Sequence, residues 1–236
     1  MNFQMLLNNR GDNMARNIKT NEYFQLKIES ERKRISKFES ALNDLEPSNV
    51  KGIRMGKIHL SNLYLNCIKL TYSRDLSFDG IFPDYMKLLA YYKEVCTSED
   101  SLYDIIDILS IGVLLQNYKK QFIEYLKEII TKYESDDGMI VFFMDYLNDK
   151  NLRRADSVMD YFNVLLKSDD KEKILKEELE VWYDNHKDAY WYNSHESKND
   201  TYCGYWCFEI AALAKIFCID DRLLCANSYY PCEIKK

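Results

Sequence analysis

Three histidines and seven cysteines are the residues of this 236-residue chain whose side chains could bind a transition metal. His186, His195, Cys203 and Cys207 lie close together in the sequence, and cysteines spaced i and i+4 share one face of a helix. Structural zinc sites more often use the spacing Cys-x-x-Cys, so we favour packing of this pair as small apolar side chains. We therefore predict no metal and no cofactor, and a zinc-dependent enzyme stays as a less favoured alternative.

The sequence also offers few groups for acid–base or nucleophilic catalysis. None of the three histidines, including His59, lies in a His-Glu-x-x-His motif or beside a nucleophile motif. No glycine-rich loop for binding phosphate is present. We predict that the protein has no catalytic residue and is not an enzyme.

Glu209 is the most informative single carboxylate, because it interrupts the apolar segment 202–217. Burial in such a segment would raise the pKa of the carboxyl group unless a cation or a hydrogen-bond donor meets it. A catalytic acid has this kind of environment, but no second titratable group lies nearby in the sequence. A buried structural carboxylate that joins neighbouring helices is therefore the favoured interpretation.

Two other charged groups are predicted to face solvent. Asp104 and Asp107 are one helical turn apart, and residues 32–37 carry a basic run without interleaved aromatic residues. A solvated helix face accounts for both patterns, so neither is predicted to bind a ligand or nucleic acid.

The cysteines and the search for targeting segments indicate the cellular compartment and the redox state of the thiols. Five of the seven cysteines lie in the last 34 positions, at 203, 207, 218, 225 and 232. The opening residues lack the basic start, long apolar middle and cleavage site of a signal peptide, and no stretch of 18 apolar residues is present. We expect reduced thiols in a cytoplasmic protein without a membrane partner.

The charge is unevenly distributed along the chain. Residues 1–70 carry a formal charge of +5 and residues 71–236 carry −11, which together give the net charge of −6. A negative surface repels nucleic acid and attracts basic proteins, although acidity can also serve solubility alone.

The elements that must position these groups are predicted to be helices. Seven glycines and three prolines are too few for a fold that turns often. Apolar residues recur at helical spacing over residues 20–46, 60–68, 83–96, 98–113, 119–133, 158–166 and 175–183. Residues 202–217 are predicted to form a helix that is apolar on nearly all sides. Periodicity does not assign the short apolar run 139–147, and its helical neighbours favour a helix there. The predicted fold is all-α, with two linked helical subdomains forming an irregular multi-helix bundle.

A charged segment with a glycine, residues 134–138, is the predicted boundary between the two subdomains. The predicted division is a disordered extension (1–17), an N-terminal helical domain (18–136) and a C-terminal helical domain (137–236). Residues 189–199 are predicted to form a polar and aromatic loop.

The last third of the chain contains, in this order, the segments YCGYWCFEIAALAK (202–215), IDD (219–221) and YYP (229–231). These segments resemble the signature of the PoNi family, whose members are immunity proteins for PoNe DNase toxins that bacteria deliver into competitors. Before Gly138 the resemblance is one of length, helix content and position. The signature residues are Gly204, Tyr205, Trp206, Phe208, Glu209, Ala211, Ala212, Asp220, Asp221, Tyr230 and Pro231.

The resemblance implies an all-helical fold without a cofactor and a tight complex with a cognate basic DNase. It leaves the oligomeric state of the protein open. An acidic binder can be steered to the cationic cleft of a nuclease and exclude DNA from it. The signature residues are mostly apolar and are expected to maintain the fold. Exposed aromatics beside carboxylates can anchor a basic partner, so Tyr190, Tyr192, Glu196 and Asp200 are the predicted contact residues. A helical adaptor is the alternative function.

Overall fold

The computed structural model describes residues 18–233, and in this range the chain contains nine α-helices and no β-strand, which confirms the predicted all-α class. No helix of this range has the length and apolar composition that a membrane span needs. The predicted extension of residues 1–17 lies outside the described residues. In chain order the helices are α1 (Asn21–Asn43), α2 (Val50–Asp75), α3 (Phe82–Val95), α4 (Leu102–Leu114), α5 (Lys119–Tyr133), α6 (Gly138–Leu147), α7 (Asp160–Lys167), α8 (Lys171–Asn185) and α9 (Phe208–Ile216).

The first three helices form a group in which α2 packs against both α1 and α3. The Thr20 side chain begins α1 by accepting a hydrogen bond from the backbone N–H of Tyr23, as an N-cap residue does. The basic run on α1 is not simply solvated, contrary to the prediction. Arg32 donates two hydrogen bonds of 2.5 Å to the carboxylate of Asp84 on α3, which is buried and therefore needs a cation.

Helix α4 begins later than the predicted start near Ser98. The Asp100 carboxylate accepts hydrogen bonds from the hydroxyl groups of Tyr92, at 2.6 Å, and Thr97, at 3.0 Å. These bonds close a turn ahead of the helix, so the first helical residue is Leu102.

The predicted break at residues 134–138 is a turn between α5 and α6. Asp137 caps α6 by accepting hydrogen bonds from the Met139 backbone N–H and the Ser157 hydroxyl, both at 2.9 Å. Helix α4 packs against both α6 and α9 across this break, and the hydrophobic core is continuous. The division into separate N-terminal and C-terminal domains stays a prediction.

Helix α9 is shorter than predicted, because it begins at Phe208 and not at Tyr202. Gly204 has a φ of 103°, which takes the backbone out of the helical region. The residues from 201 to 207 are therefore not helical, and Cys203 and Cys207 do not share a helix face.

The segment before α9 is held by hydrogen bonds to other parts of the chain. Trp206 donates through Nε1 to Ser73 Oγ on α2 at 2.8 Å, and Ser73 donates to the Cys203 carbonyl at 2.7 Å. The Cys207 backbone N–H donates to the Tyr229 carbonyl. These partners lie far away in the sequence, which is why the apolar composition alone predicted a longer helix.

Cys225 and Cys232 form a disulfide, so the prediction that every thiol is reduced is wrong for this pair. The turn Leu224–Ala226 and the residues after it bring the two Cα atoms to 5.2 Å, within the range that a disulfide requires. Cys67 and Cys207 are free and buried, as expected of small apolar side chains. Burial raises the pKa of the Cys67 thiol to about 12.

Candidate functional site

A cleft of about 880 Å³ lies between α2, α4, α8 and the segment that follows α8. Val158 and Tyr190 lie at its rim and are 73% and 69% exposed. Four helices contribute carboxylates to its lining, which makes the cleft acidic. These carboxylates are Asp104 and Asp107 of α4, Asp160 of α7, Glu178 of α8 and Glu209 of α9.

Asp104 and Asp107 line this cleft, whereas the sequence predicted a solvated face for them. Lys69 Nζ lies 2.6 Å from Asp107 Oδ2, and the two side chains are only 12% and 14% exposed. The Tyr190 hydroxyl donates a hydrogen bond of 3.2 Å to Asp104 Oδ1. Burial raises the pKa of Asp104 even though the positive charge of Lys69 opposes the increase.

Glu209 lies in the inner wall of the cleft and is buried, as predicted. Its Oε1 accepts a hydrogen bond of 2.6 Å from the indole N–H of Trp182, which ties α9 to α8. Burial raises the pKa of Glu209, and the negative charge of Asp107 raises it further. Glu209 therefore joins α9 to α8 in surroundings that disfavour the ionised form of its carboxyl group.

Helix α8 and the residue that caps its end supply two titratable neighbours of Glu209 that are distant in the sequence. Glu178 and His186 both line the cleft, and burial raises the pKa of Glu178. The His186 ring lies 4.8 Å from the Trp182 ring, and its Nδ1 is 2.6 Å from the Trp182 carbonyl oxygen. Sequence reasoning missed this group, although residues 178, 182 and 186 are spaced four apart and share one side of the helix.

The four residues considered for zinc are not gathered into a metal site. In the described part of the chain, no group of three or more His, Cys, Asp or Glu side chains could hold an ion. His186 packs among aromatic rings, and His195 Nδ1 lies 2.8 Å from the Tyr205 hydroxyl. Burial raises the pKa of the Cys207 thiol well above its usual value, so this side chain is a poor thiolate ligand.

Of the four loop residues predicted to contact a partner, Tyr190 lines the cleft and the other three do not. Tyr192 is half-buried and stacks on Tyr183, with ring centroids 4.6 Å apart. Glu196 and Asp200 are exposed. Tyr190 is thus the loop residue that the geometry connects with the acidic cleft.

Most residues of the sequence signature make interior contacts. The Tyr230 hydroxyl donates a hydrogen bond of 3.1 Å to Asp221 Oδ2 near the end of the chain. Asp220 is exposed and forms an ion pair with Arg222. The buried members of the signature are Tyr205, Trp206, Phe208, Glu209, Ala211, Ala212, Tyr230 and Pro231.

The raised pKa of Glu178 predicts a pH-dependent effect of neutralising this residue. A carboxyl group with a raised pKa in the folded state stabilises the protein below its unfolded pKa, and this contribution is lost as the pH rises through the folded pKa. The Glu178→Gln variant is therefore expected to gain stability relative to the parent protein between about pH 4 and pH 7. Urea unfolding at both pH values measures the difference.

Glu177→Gln is the matched control for this prediction. Glu177 neighbours Glu178 on α8 but is 58% exposed at its side chain and pairs with Lys173. Its variant should show no relative gain in stability over the same pH interval. Parallel pH profiles for Glu178→Gln and the parent protein would contradict a raised pKa at Glu178.

Two family models match this chain, and they meet between α5 and α6. The model described as PoNe immunity protein (PoNi), N-terminal, matches residues 16–136, and the model described as PoNe immunity proteins (PoNi), C-terminal, matches residues 135–234. No curated protein and no solved structure matches the chain. Because the two models together cover nearly the whole sequence, the chain belongs to the PoNi family of PoNe immunity proteins.

Proposed function

We propose that this protein neutralises a cognate PoNe-type DNase by binding to it and occluding the surface with which the nuclease contacts DNA or cleaves it. It acts by binding alone and without a cofactor, in the cytoplasm where the DNA of the cell lies. The observation that carries the proposal is the family match over residues 16–234, because immunity is the function that both family descriptions print.

Electrostatics support a nuclease as the partner. A protein that binds DNA presents a positive surface to the phosphate backbone. Residues 71–236 carry a formal charge of −11, and five carboxylates line the cleft. Opposite charges accelerate encounter and orient the two proteins, so that an acidic face covers the surface that DNA requires.

The loop after α8 is proposed as part of the contact surface. Tyr190 offers an exposed aromatic ring at the rim of the cleft, and the side chain of Glu196 is 70% exposed. Large aromatic side chains next to charged ones are typical of residues that dominate binding energy. Tyr192, Glu196 and Asp200 are proposed to belong to the same contact surface, although they do not line the cleft.

Co-expression tests the proposed function. The nuclease encoded by the neighbouring gene should arrest growth when it is produced alone, and this protein should restore growth when both are produced. A nuclease mutated in its active site controls for effects of expression. Growth arrest that persists in the presence of folded protein would refute the proposal.

Charge reversal tests the loop separately. The double variant Glu196→Lys/Asp200→Lys is expected to slow association with the nuclease by roughly tenfold at low salt, since it removes steering charges from the surface. Glu124→Lys on α5 is the control, because its side chain is 73% exposed at another site. Association of the double variant at the parent rate, measured by surface plasmon resonance, would remove the loop from the contact surface.

A further inference from the structure

Several carboxylates of the acidic cleft have no direct ion-pair partner in the described part of the chain. Lys69 is paired with Asp107, whereas Asp104, Glu178 and Glu209 form no ion pair with any described residue. Their hydrogen-bond donors are neutral: Tyr190 for Asp104, Asn185 for Glu178 and Trp182 for Glu209. These three carboxylates therefore lack a direct cationic partner, and the nearby Lys69 and His186 oppose only part of the increase in their pKa values.

Asp145, a carboxylate outside the cleft, has a cationic partner. Arg153 binds Asp145 through two hydrogen bonds of 2.8 Å, and this contact lowers the pKa of Asp145. In the cleft, burial raises the pKa of Glu178 and Glu209, because His186 offsets only part of the loss of hydration. A bound cation would supply the same compensation that Arg153 gives to Asp145.

An unsatisfied hydroxyl group provides a second, independent indication of a ligand. The Tyr161 hydroxyl oxygen is buried without a hydrogen-bond partner among the described residues, and Tyr161 lines the cleft. Burial and the negative charge of Glu209 raise its pKa, so the group stays a neutral phenol. Buried polar groups without a partner are uncommon in folded proteins and call for an explanation.

Aromatic rings complete the chemistry of the inner cleft. Trp182 and Trp191 stack with centroids 5.2 Å apart and an interplanar angle of 15°, and both line the cleft. A guanidinium group is planar, binds carboxylates through two parallel hydrogen bonds and stacks on aromatic faces. An ammonium group offers neither the planar fork nor the stacking surface.

We propose that the inner cleft, with Glu178, Glu209 and Tyr161, binds the guanidinium group of an arginine side chain that the nuclease inserts past Tyr190 and Val158. The inference rests on the proposed function, since the DNA-binding surface of the nuclease provides the arginine. A volume of about 880 Å³ accommodates the side chain together with neighbouring residues of the nuclease. The arginine would then be unavailable for phosphate contacts.

Calorimetric titration with the nuclease of the neighbouring gene tests the inference. Glu178→Gln is expected to weaken binding by roughly tenfold to a hundredfold, the effect of losing one charged hydrogen-bond partner. Glu177→Gln makes the same change of charge one residue away and should bind within about twofold of the parent protein. Thermal unfolding of both variants controls for folding.

The outcomes separate the two proposals. Equal binding by Glu178→Gln and the parent protein overturns the arginine site but leaves the proposed function intact. Absence of binding by the parent protein refutes the proposed function. In that case, NMR titration of the protein with methylguanidinium tests the cleft by itself. Methylguanidinium should shift the indole N–H signals of Trp182 and Trp191 more strongly than methylammonium does. Equal shifts with the two compounds, or no shifts, would overturn the inference.

Discussion

Replacing Trp182 with alanine is expected to lower the free energy of unfolding by about 3–5 kcal/mol, the usual cost of truncating a large buried aromatic side chain. Trp182 is only 3% exposed and stacks on Trp191. Its removal also leaves the buried Glu209 carboxylate without its indole donor. Urea unfolding followed by circular dichroism measures the change.

Trp182→Phe separates packing from hydrogen bonding at this position. Phenylalanine keeps an aromatic ring but cannot donate to Glu209, so a smaller loss of about 1–3 kcal/mol is expected. If the alanine and phenylalanine variants were equally destabilised, stacking on Trp191 would contribute nothing. A loss below about 1 kcal/mol for the alanine variant would contradict the role of Trp182 in joining α8 to α9.

Replacing Gly204 with alanine is the second change with a large expected effect. An added Cβ would lie 2.2 Å from Ser73 Oγ and 2.4 Å from Trp206 Nε1, so it would break the hydrogen bond between these side chains. The φ of 103° adds backbone strain of about 1–3 kcal/mol, and overpacking adds about 1–3 kcal/mol. The free energy of unfolding should fall accordingly.

Gly80→Ala is the matched control for Gly204→Ala. A Cβ at Gly80 would lie 3.5 Å from Thr71 Cγ2, an ordinary van der Waals contact, and the position has no positive φ. Its variant should unfold within about 1 kcal/mol of the parent protein. A Gly204→Ala variant as stable as this control would mean that the segment before α9 does not depend on its glycine.

Much of the helical architecture could be predicted from hydrophobic periodicity. The segment 119–133 is predicted and observed with the same bounds, because it has a strong apolar stripe and clear ends. Helices bounded by distant contacts were harder to predict. The start of α9 depends on Ser73 and Tyr229, and neither partner is visible from the local sequence.

The candidate site could be predicted only in part. Burial of Glu209 follows from its apolar neighbours, and the predicted loop contains Tyr190 at the rim of the cleft. The carboxylates of α4 and α8 were missed, since a pair of aspartates one turn apart looks the same on a solvated face as in a cleft. The carboxylates of α4 and α8 lie in the same cleft as Glu209 because these helices pack against α9.

The pairing of Cys225 with Cys232 likewise could not be predicted from the sequence. Spacing does not determine which cysteines meet, and the turn Leu224–Ala226 that brings them together has no strong local signal. The expectation of reduced thiols was a general one and did not distinguish between individual cysteines.

Titration of DNA cleavage is the most direct test of the central claim that this PoNi protein neutralises a nuclease by occluding its DNA site. With the purified nuclease of the neighbouring gene, cleavage of duplex DNA should fall in proportion to added protein and cease at one equivalent, and the nuclease should no longer retain labelled DNA. A nuclease that binds this protein and still cleaves DNA at its full rate would contradict the account.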